Sequence, residues 1–183
     1  MVPPGLSFIS LSQAAWEARE RATMPRFYFD LPSAQRSLER GQTPWTPNLP
    51  LFYGMGVALD MLLEEGMENV FSRHARIAHM TRQGIKALGL HLLAHEACAS
   101  DTVTSVKVPQ GADGGRLSAL LRTEHSVVLA GGQGPLQGKI FRIGHMGQVT
   151  EDDIQEVLHA LEVTLPQVGF QLSAISRQQS GPA

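Results

Sequence analysis

The sequence predicts an α+β fold for its second half, with helices on one face of a mainly antiparallel sheet, and three observations carry that prediction. From Leu90 onward the segments run strand, strand, helix, strand, strand, helix, an order that suits such a sheet. A single arginine, Arg142, stands inside the apolar strand Ile140-Phe141-Arg142-Ile143 between two glycine-rich loops. Thr150-Glu151-Asp152-Asp153 then opens the last helix, with a capping hydroxyl and acidic residues where the helix dipole favours them.

Taken in order, Leu6-Ser7-Phe8-Ile9-Ser10-Leu11 reads as a buried strand, and Ser12 as the cap of a helix through Ala14, Ala15, Trp16 and Ala18. Met24 to Trp45 contains Pro25, Pro32 and Pro44 and reads as a long excursion holding a short helix near Ser33 to Arg40 and the aromatic run Phe27-Tyr28-Phe29. Thr46-Pro47-Asn48-Leu49-Pro50 reads as a helix entry capped by Thr46. A helix from Leu51 to Glu65 follows. Gly66 ends or bends it before a second helix from Glu68 to Leu88, which Gly89 stops. Beyond that come strands at Leu90 to Ala94 and Thr102 to Val108, a helix at Gly114 to Glu124, a strand at Ser126 to Ala130, the Arg142 strand, and a helix from Thr150 to about Leu165-Pro166. The polar tail, 171–183, is expected to be disordered.

Composition narrows the function. With 183 residues, 43% of them hydrophobic, and a net charge of -2, the chain can build a core and lacks the basic excess of a nucleic-acid binder. No apolar run is long enough to span a bilayer and no signal-peptide pattern opens the chain. The single Cys98 rules out an internal disulfide and fits a cytoplasmic location.

Alternation along the Arg142 strand turns Phe141 and Ile143 to a core and Ile140, Arg142 and Gly144 to the other face, a cleft. A guanidinium there offers a planar fork that grips a carboxylate two bonds at a time; the alternative is an exposed salt bridge. His91 and His95 have ligand spacing only on a helix, and their segment reads as a strand, so no metal site is expected. His145, in the turn after the Arg142 strand, is close enough to share that cleft, although a structural role fits it better. No Gly-x-Ser-x-Gly elbow is present, Cys98 has no basic neighbour to activate it, and Gly131-Gly132-x-Gly134 precedes a strand where a phosphate cradle would open a helix. Only three lysines occur, Lys86, Lys107 and Lys139, and none sits in an apolar surround that would make it a nucleophile.

Several segments in order resemble the class V family of pyridoxal-phosphate aminotransferases, in particular its alanine–glyoxylate and serine–glyoxylate branch. They are Pro3-Pro4-Gly5 with Leu6 to Ser10, Phe27-Tyr28-Phe29-Asp30, Thr46-Pro47, Glu65-Gly66-Met67-Glu68-Asn69, and Gly131-Gly132-x-Gly134-Pro135 leading into Gly138 to Gly144. The resemblance spans about residues 1–170. It implies the C-terminal part of a homodimeric, pyridoxal 5'-phosphate-dependent transaminase of fold type I that acts on a small amino acid and a 2-oxo acid such as glyoxylate. The implied division is a remnant of the large cofactor-binding domain over 1–48, linking helices over 49–89 and the small domain over 90–170. Arg142 would match the arginine that grips the substrate carboxylate, and Thr46 the residue that reaches the cofactor phosphate of the neighbouring subunit. The Schiff-base lysine of relatives would fall just upstream of Met1, so the chain alone is expected to be catalytically incomplete. Some relatives in this branch are labelled soluble hydrogenase subunits, yet one cysteine supplies no ligand set for a metal cluster. Two readings from other classes are an assembly module that pairs with a separate N-terminal half, and a carboxylate sensor built on Arg142.

Overall fold

A computed structural model of the chain describes residues 2–172. It divides into two compact units, Met1–Glu64 and Glu65–Ala183.

The first unit is helical. Ser12 caps α1 (Gln13–Glu20) through Ala15 N–H at 3.3 Å, as its sequence position predicts. Helix α2 (Leu31–Leu38) begins two residues earlier than expected, because Asp30 accepts from Ser33 N–H at 3.1 Å and Pro32 fits the first turn. The entry to α3 (Leu49–Glu65) also differs from expectation. Asn48, not Thr46, caps it, accepting from Leu51 N–H at 3.4 Å, while Thr46 lies two residues outside the cap, exposed. The segment Leu6 to Leu11 is not a strand: a strand needs a neighbour for its backbone groups, and none pairs with it among the described residues. Phe8 and Ile9 are accordingly 76% and 73% exposed. The aromatic run packs on itself. Tyr28 stacks on Trp45 with ring centroids 5.2 Å apart, Phe27 lies against the same indole, and Trp45 Nε1 donates to Tyr28 O at 3.2 Å.

The second unit holds the α+β architecture that the sequence predicts. Gly66, at φ 83°, occupies a left-handed conformation that side-chain-bearing residues rarely adopt, and it separates α3 from α4 (Met67–Ala87). Strand β1 (Val103–Lys107), helix α5 (Gly114–His125), the two-residue strand β2 (Ala130–Gly131), strand β3 (Ile140–Gly144) and helix α6 (Glu151–Thr164) follow. The sheet order is β1-β3-β2, all antiparallel, with Ser105 and Ala130 both opposite Arg142. Two expected strands shrink. Leu90 to Ala94 contributes a single bridge, Leu92 to Val106, before His95 caps a short 3-10 turn, so His91 and His95 share no strand. Ser126 to Ala130 pairs only from Ala130, because Ser126, at φ 57°, caps α5 and leaves the following residues to climb back to the sheet.

The core lies on one face of this sheet. Val106, Phe141 and Ile143 meet Ile77 and Ile85 of α4, Leu117 and Leu121 of α5, and Ile154 and Leu161 of α6 in one buried cluster. The reciprocal capping box of Thr150 and Asp153 starts α6 as its sequence predicts. Leu172, at the start of the expected tail, packs against the cluster; residues 173–183 lie outside the described part. No helix among the described residues is long and apolar enough to cross a membrane.

His145 belongs to this core side and does not share the Arg142 cleft. It is 1% exposed, its Nε2 lies 2.9 Å from the buried Thr104 Oγ1, and its Nδ1 makes no full hydrogen bond among the described residues. Burial pushes its pKa below the usual 6.5, an effect that the nearby backbone of Asp101 only partly offsets. Above about pH 6.5 the ring is neutral in both folded and unfolded chains. As pH falls below that, the unfolded chain takes up a proton that the buried ring resists, and stability is lost. The urea midpoint should therefore decline on acidification from about pH 7 to 5, with a shallower slope in His145→Gln; identical slopes would contradict the role of this ring. Leu161, fully buried, should cost about 2–5 kcal/mol when truncated to Ala, read as a fall in urea midpoint.

Candidate functional site

Opposite the core, β1 and β3 present a second face. Residues paired across an antiparallel ladder share a face, so Ser105 and Arg142 stand side by side there. The bridge at Leu92 and Val106, continued by Leu93 N–H donating to Ser105 O at 2.9 Å, puts Leu93 in the same cross-strand row. With Gly132, Gln133, Leu136 and Ile140 these three line a pocket of about 260 Å³.

Arg142 is partly buried in that pocket. Its Nε donates to Gly131 O at 3.1 Å, which leans the guanidinium toward β2. The two terminal nitrogens have no hydrogen-bond partner among the described residues, and no acidic side chain lines the pocket. Among the described residues Arg142 forms no salt bridge, and the fork is held at one nitrogen and open at two. Two parallel N–H donors of this kind match the two oxygens of a carboxylate.

The wall of the pocket depends on a missing side chain. Gly132 N–H bonds Ile140 O at 3.1 Å, and a Cβ at Gly132 would lie 2.0 Å from Leu136 O and 2.9 Å from Ile140 Cγ1. Gly132 thus lets the 132–138 loop fold down beside Arg142, a use of the glycine run different from a phosphate cradle.

Beyond β3 the chain is anchored by a contact that sequence reasoning missed. Arg73 of α4 bonds both carboxylate oxygens of Glu65, at 2.6 and 2.8 Å, and also donates to Gly147 O. His74 Nε2 accepts from Gly147 N–H at 3.0 Å while Nδ1 lies 2.7 Å from Val70 O, which assigns the ring proton to Nδ1. Both backbone groups of Gly147 are thereby held. The Arg73 hydrogen bond keeps the Glu65 carboxyl below the usual carboxylate range. Nothing local to His74 points to a glycine 73 residues away.

Of the two site residues named from the sequence, Arg142 lies in the pocket and Thr46 does not line it. The lysines lie elsewhere: Lys86 pairs with Glu96, and Lys107 and Lys139 are exposed. Among the described residues no group of three His, Cys, Asp or Glu side chains is arranged to hold a metal ion.

Residues 3–157 match the family model "Aminotransferase class-V". The chain is 44% identical over 170 residues to the soluble hydrogenase small subunit of Synechococcus sp., covering 93% of this chain and 44% of that protein. It is 36% identical over 179 residues to serine–glyoxylate aminotransferase of Methylorubrum extorquens, covering 94% and 44%. The crystal structure of pyridoxamine-pyruvate aminotransferase from Mesorhizobium loti superposes with a TM-score of 0.83 at 34% identity over 90% of this chain and 43% of that one. The chain thus spans less than half the length of these relatives, and the second unit carries the α+β part of a fold-type I aminotransferase. With a family model matched over residues 3–157 of its 183, this chain belongs to the class V aminotransferase family.

Proposed function

We propose that the chain is the C-terminal portion of an aminotransferase acting on small amino acids, with glyoxylate or another 2-oxo acid as acceptor, and that its own contribution is the wall that grips the substrate carboxylate. The observation that carries this reading is the Arg142 guanidinium, fixed by Gly131 O and otherwise open in a pocket free of acidic side chains. Arg142 binds the carboxylate through its terminal nitrogens. The Gly131 carbonyl orients it, and Leu93, Leu136 and Ile140 form the apolar part of the wall beside it.

Family membership implies pyridoxal phosphate, whose chemistry is to stabilise the carbanion formed at the amino-acid carbon. The pocket residues do not by themselves form a cradle for it, since no lysine, acidic or aromatic side chain lines the pocket. Thr46, with an exposed hydroxyl beside the Trp45 stack, is the residue of the first unit that we assign to the cofactor phosphate, across a subunit boundary. The chain alone does not transaminate, because none of its three lysines reaches the Arg142 pocket. A polypeptide equivalent to the rest of the relatives' length would supply the lysine that the site lacks, with a second copy of the chain as dimer partner, in a cytoplasmic setting suited to the exposed Cys98 thiol.

A second reading, a non-catalytic assembly module, is favoured by the first unit. Among its described residues only Ser37, Leu51 and Ala58 are buried, while Phe8, Phe27, Phe29, Tyr53 and Leu63 are each more than two-thirds exposed.

Supplied with pyridoxal phosphate, the 183-residue chain should show no amino transfer from serine or alanine to glyoxylate; robust turnover would overturn its proposed incompleteness. Arg142→Ala should weaken pyruvate binding roughly tenfold or more, the loss of a charged hydrogen-bonded contact, and Arg142→Lys should fall between. Gly132→Ala should lower stability by about 1–3 kcal/mol in urea unfolding, because backbone must shift to admit the methyl group.

A further inference from the structure

The pocket holds a second polar group that neither the family match nor the sequence pattern singles out. Ser105 is the direct cross-strand partner of Arg142 in the β1–β3 ladder, and its side chain shares the pocket face. Its position is fixed by backbone pairing on both sides, to β3 and to Leu93. Gln133, the remaining polar side chain of the pocket, lies outside the β1–β3 ladder, at the entry to a short 3-10 turn where its backbone O accepts from Leu136 N–H at 3.1 Å.

The two residues differ in reach and direction. Arg142 is long and leans toward β2 through its bond to Gly131 O, whereas Ser105 is short and stands on β1, on the other side of β3. A carboxylate that accepts from the two terminal nitrogens of Arg142 has both oxygens engaged side by side. The atom attached to the next carbon then needs a partner of its own, and the pocket continues over β1 to Ser105 and Leu93. A hydroxyl donates and accepts. It can donate to the carbonyl of a 2-oxo acid and accept from the amino group of the corresponding amino acid, so one residue serves both partners of an amino exchange. Leu93, beyond it, limits the length of the chain that follows.

Resting on the reading of Arg142 as the carboxylate grip, we propose that Ser105 is a specificity-determining residue that contacts the 2-substituent of a short 2-oxo or 2-amino acid, and so separates these from plain carboxylic acids. The contact is reversible hydrogen bonding and involves no bond making.

The test is a nitrogen–proton NMR titration of the full chain with sodium pyruvate, L-alanine and sodium acetate, following the Arg142 Nε–H resonance. The wild-type chain should bind pyruvate more tightly than acetate. In Ser105→Ala that preference should shrink about threefold to tenfold, the size of one net hydrogen bond, with acetate binding retained, and Ser105→Thr should restore it by returning the hydroxyl. If Ser105→Ala keeps the wild-type preference, the assignment of Ser105 is overturned while the Arg142 reading stands. If none of the three ligands moves the Arg142 resonance, the Arg142 reading falls and takes this inference with it.

Discussion

The antiparallel register between β1 and β3 is the constraint on which the rest of the second unit depends. It sets Thr104 opposite Ile143 and Val106 opposite Phe141 on the face that α4, α5 and α6 cover. The same register sets Ser105 opposite Arg142 on the face left open. Because side chains alternate with a period of two, a slip by one residue would turn Arg142 into the apolar cluster and Phe141 into the pocket. Burying an unpaired guanidinium costs several kcal/mol, about the scale of a domain's whole net stability, so the core enforces the register and the register builds the site. Core and pocket are here one constraint expressed on two faces of one ribbon.

The two units differ in self-sufficiency. The second buries a continuous cluster of helix and strand residues, and the clamp of Arg73 and His74 on Gly147 ties the turn after β3 to α4. The first places most of its large apolar side chains in solvent and stabilises its aromatic loop by stacking within the loop itself. The chain spans 44% of the length of two of its curated relatives.

Much of the second unit was legible in the sequence. The capping box at Thr150, the stop at Gly89, the break at Gly66 and the alternation around Arg142 are local signals, and each element they mark is present. Readings that depended on a distant partner fared worse. Leu6 to Leu11 has strand composition, but composition cannot supply the neighbouring backbone that makes a strand. Thr46 and Asn48 are both good caps, and only the start of α3 decides between them. Leu90 to Ala94 and Ser126 to Ala130 shorten because the turns at His95 and Ser126 use residues that composition assigns to strands. In the site, Arg142 stood out because a charge in an apolar strand is conspicuous. Ser105 did not, since a serine on an outward strand position is ordinary until register names its neighbour. The Arg73–Gly147 contact joins residues 74 apart in sequence and left no local trace.

The central claim is that the open face of the sheet is a carboxylate receptor whose selectivity rests on the charge of Arg142. Isothermal titration calorimetry of the intact chain with pyruvate and with its neutral amide, pyruvamide, tests this most directly, because the two ligands share size and 2-oxo group and differ in the anionic charge. Saturable binding of pyruvate with no measurable binding of the amide is the expected result. Equal affinity for the two would contradict it and leave Arg142 as an ordinary polar residue on a sheet surface.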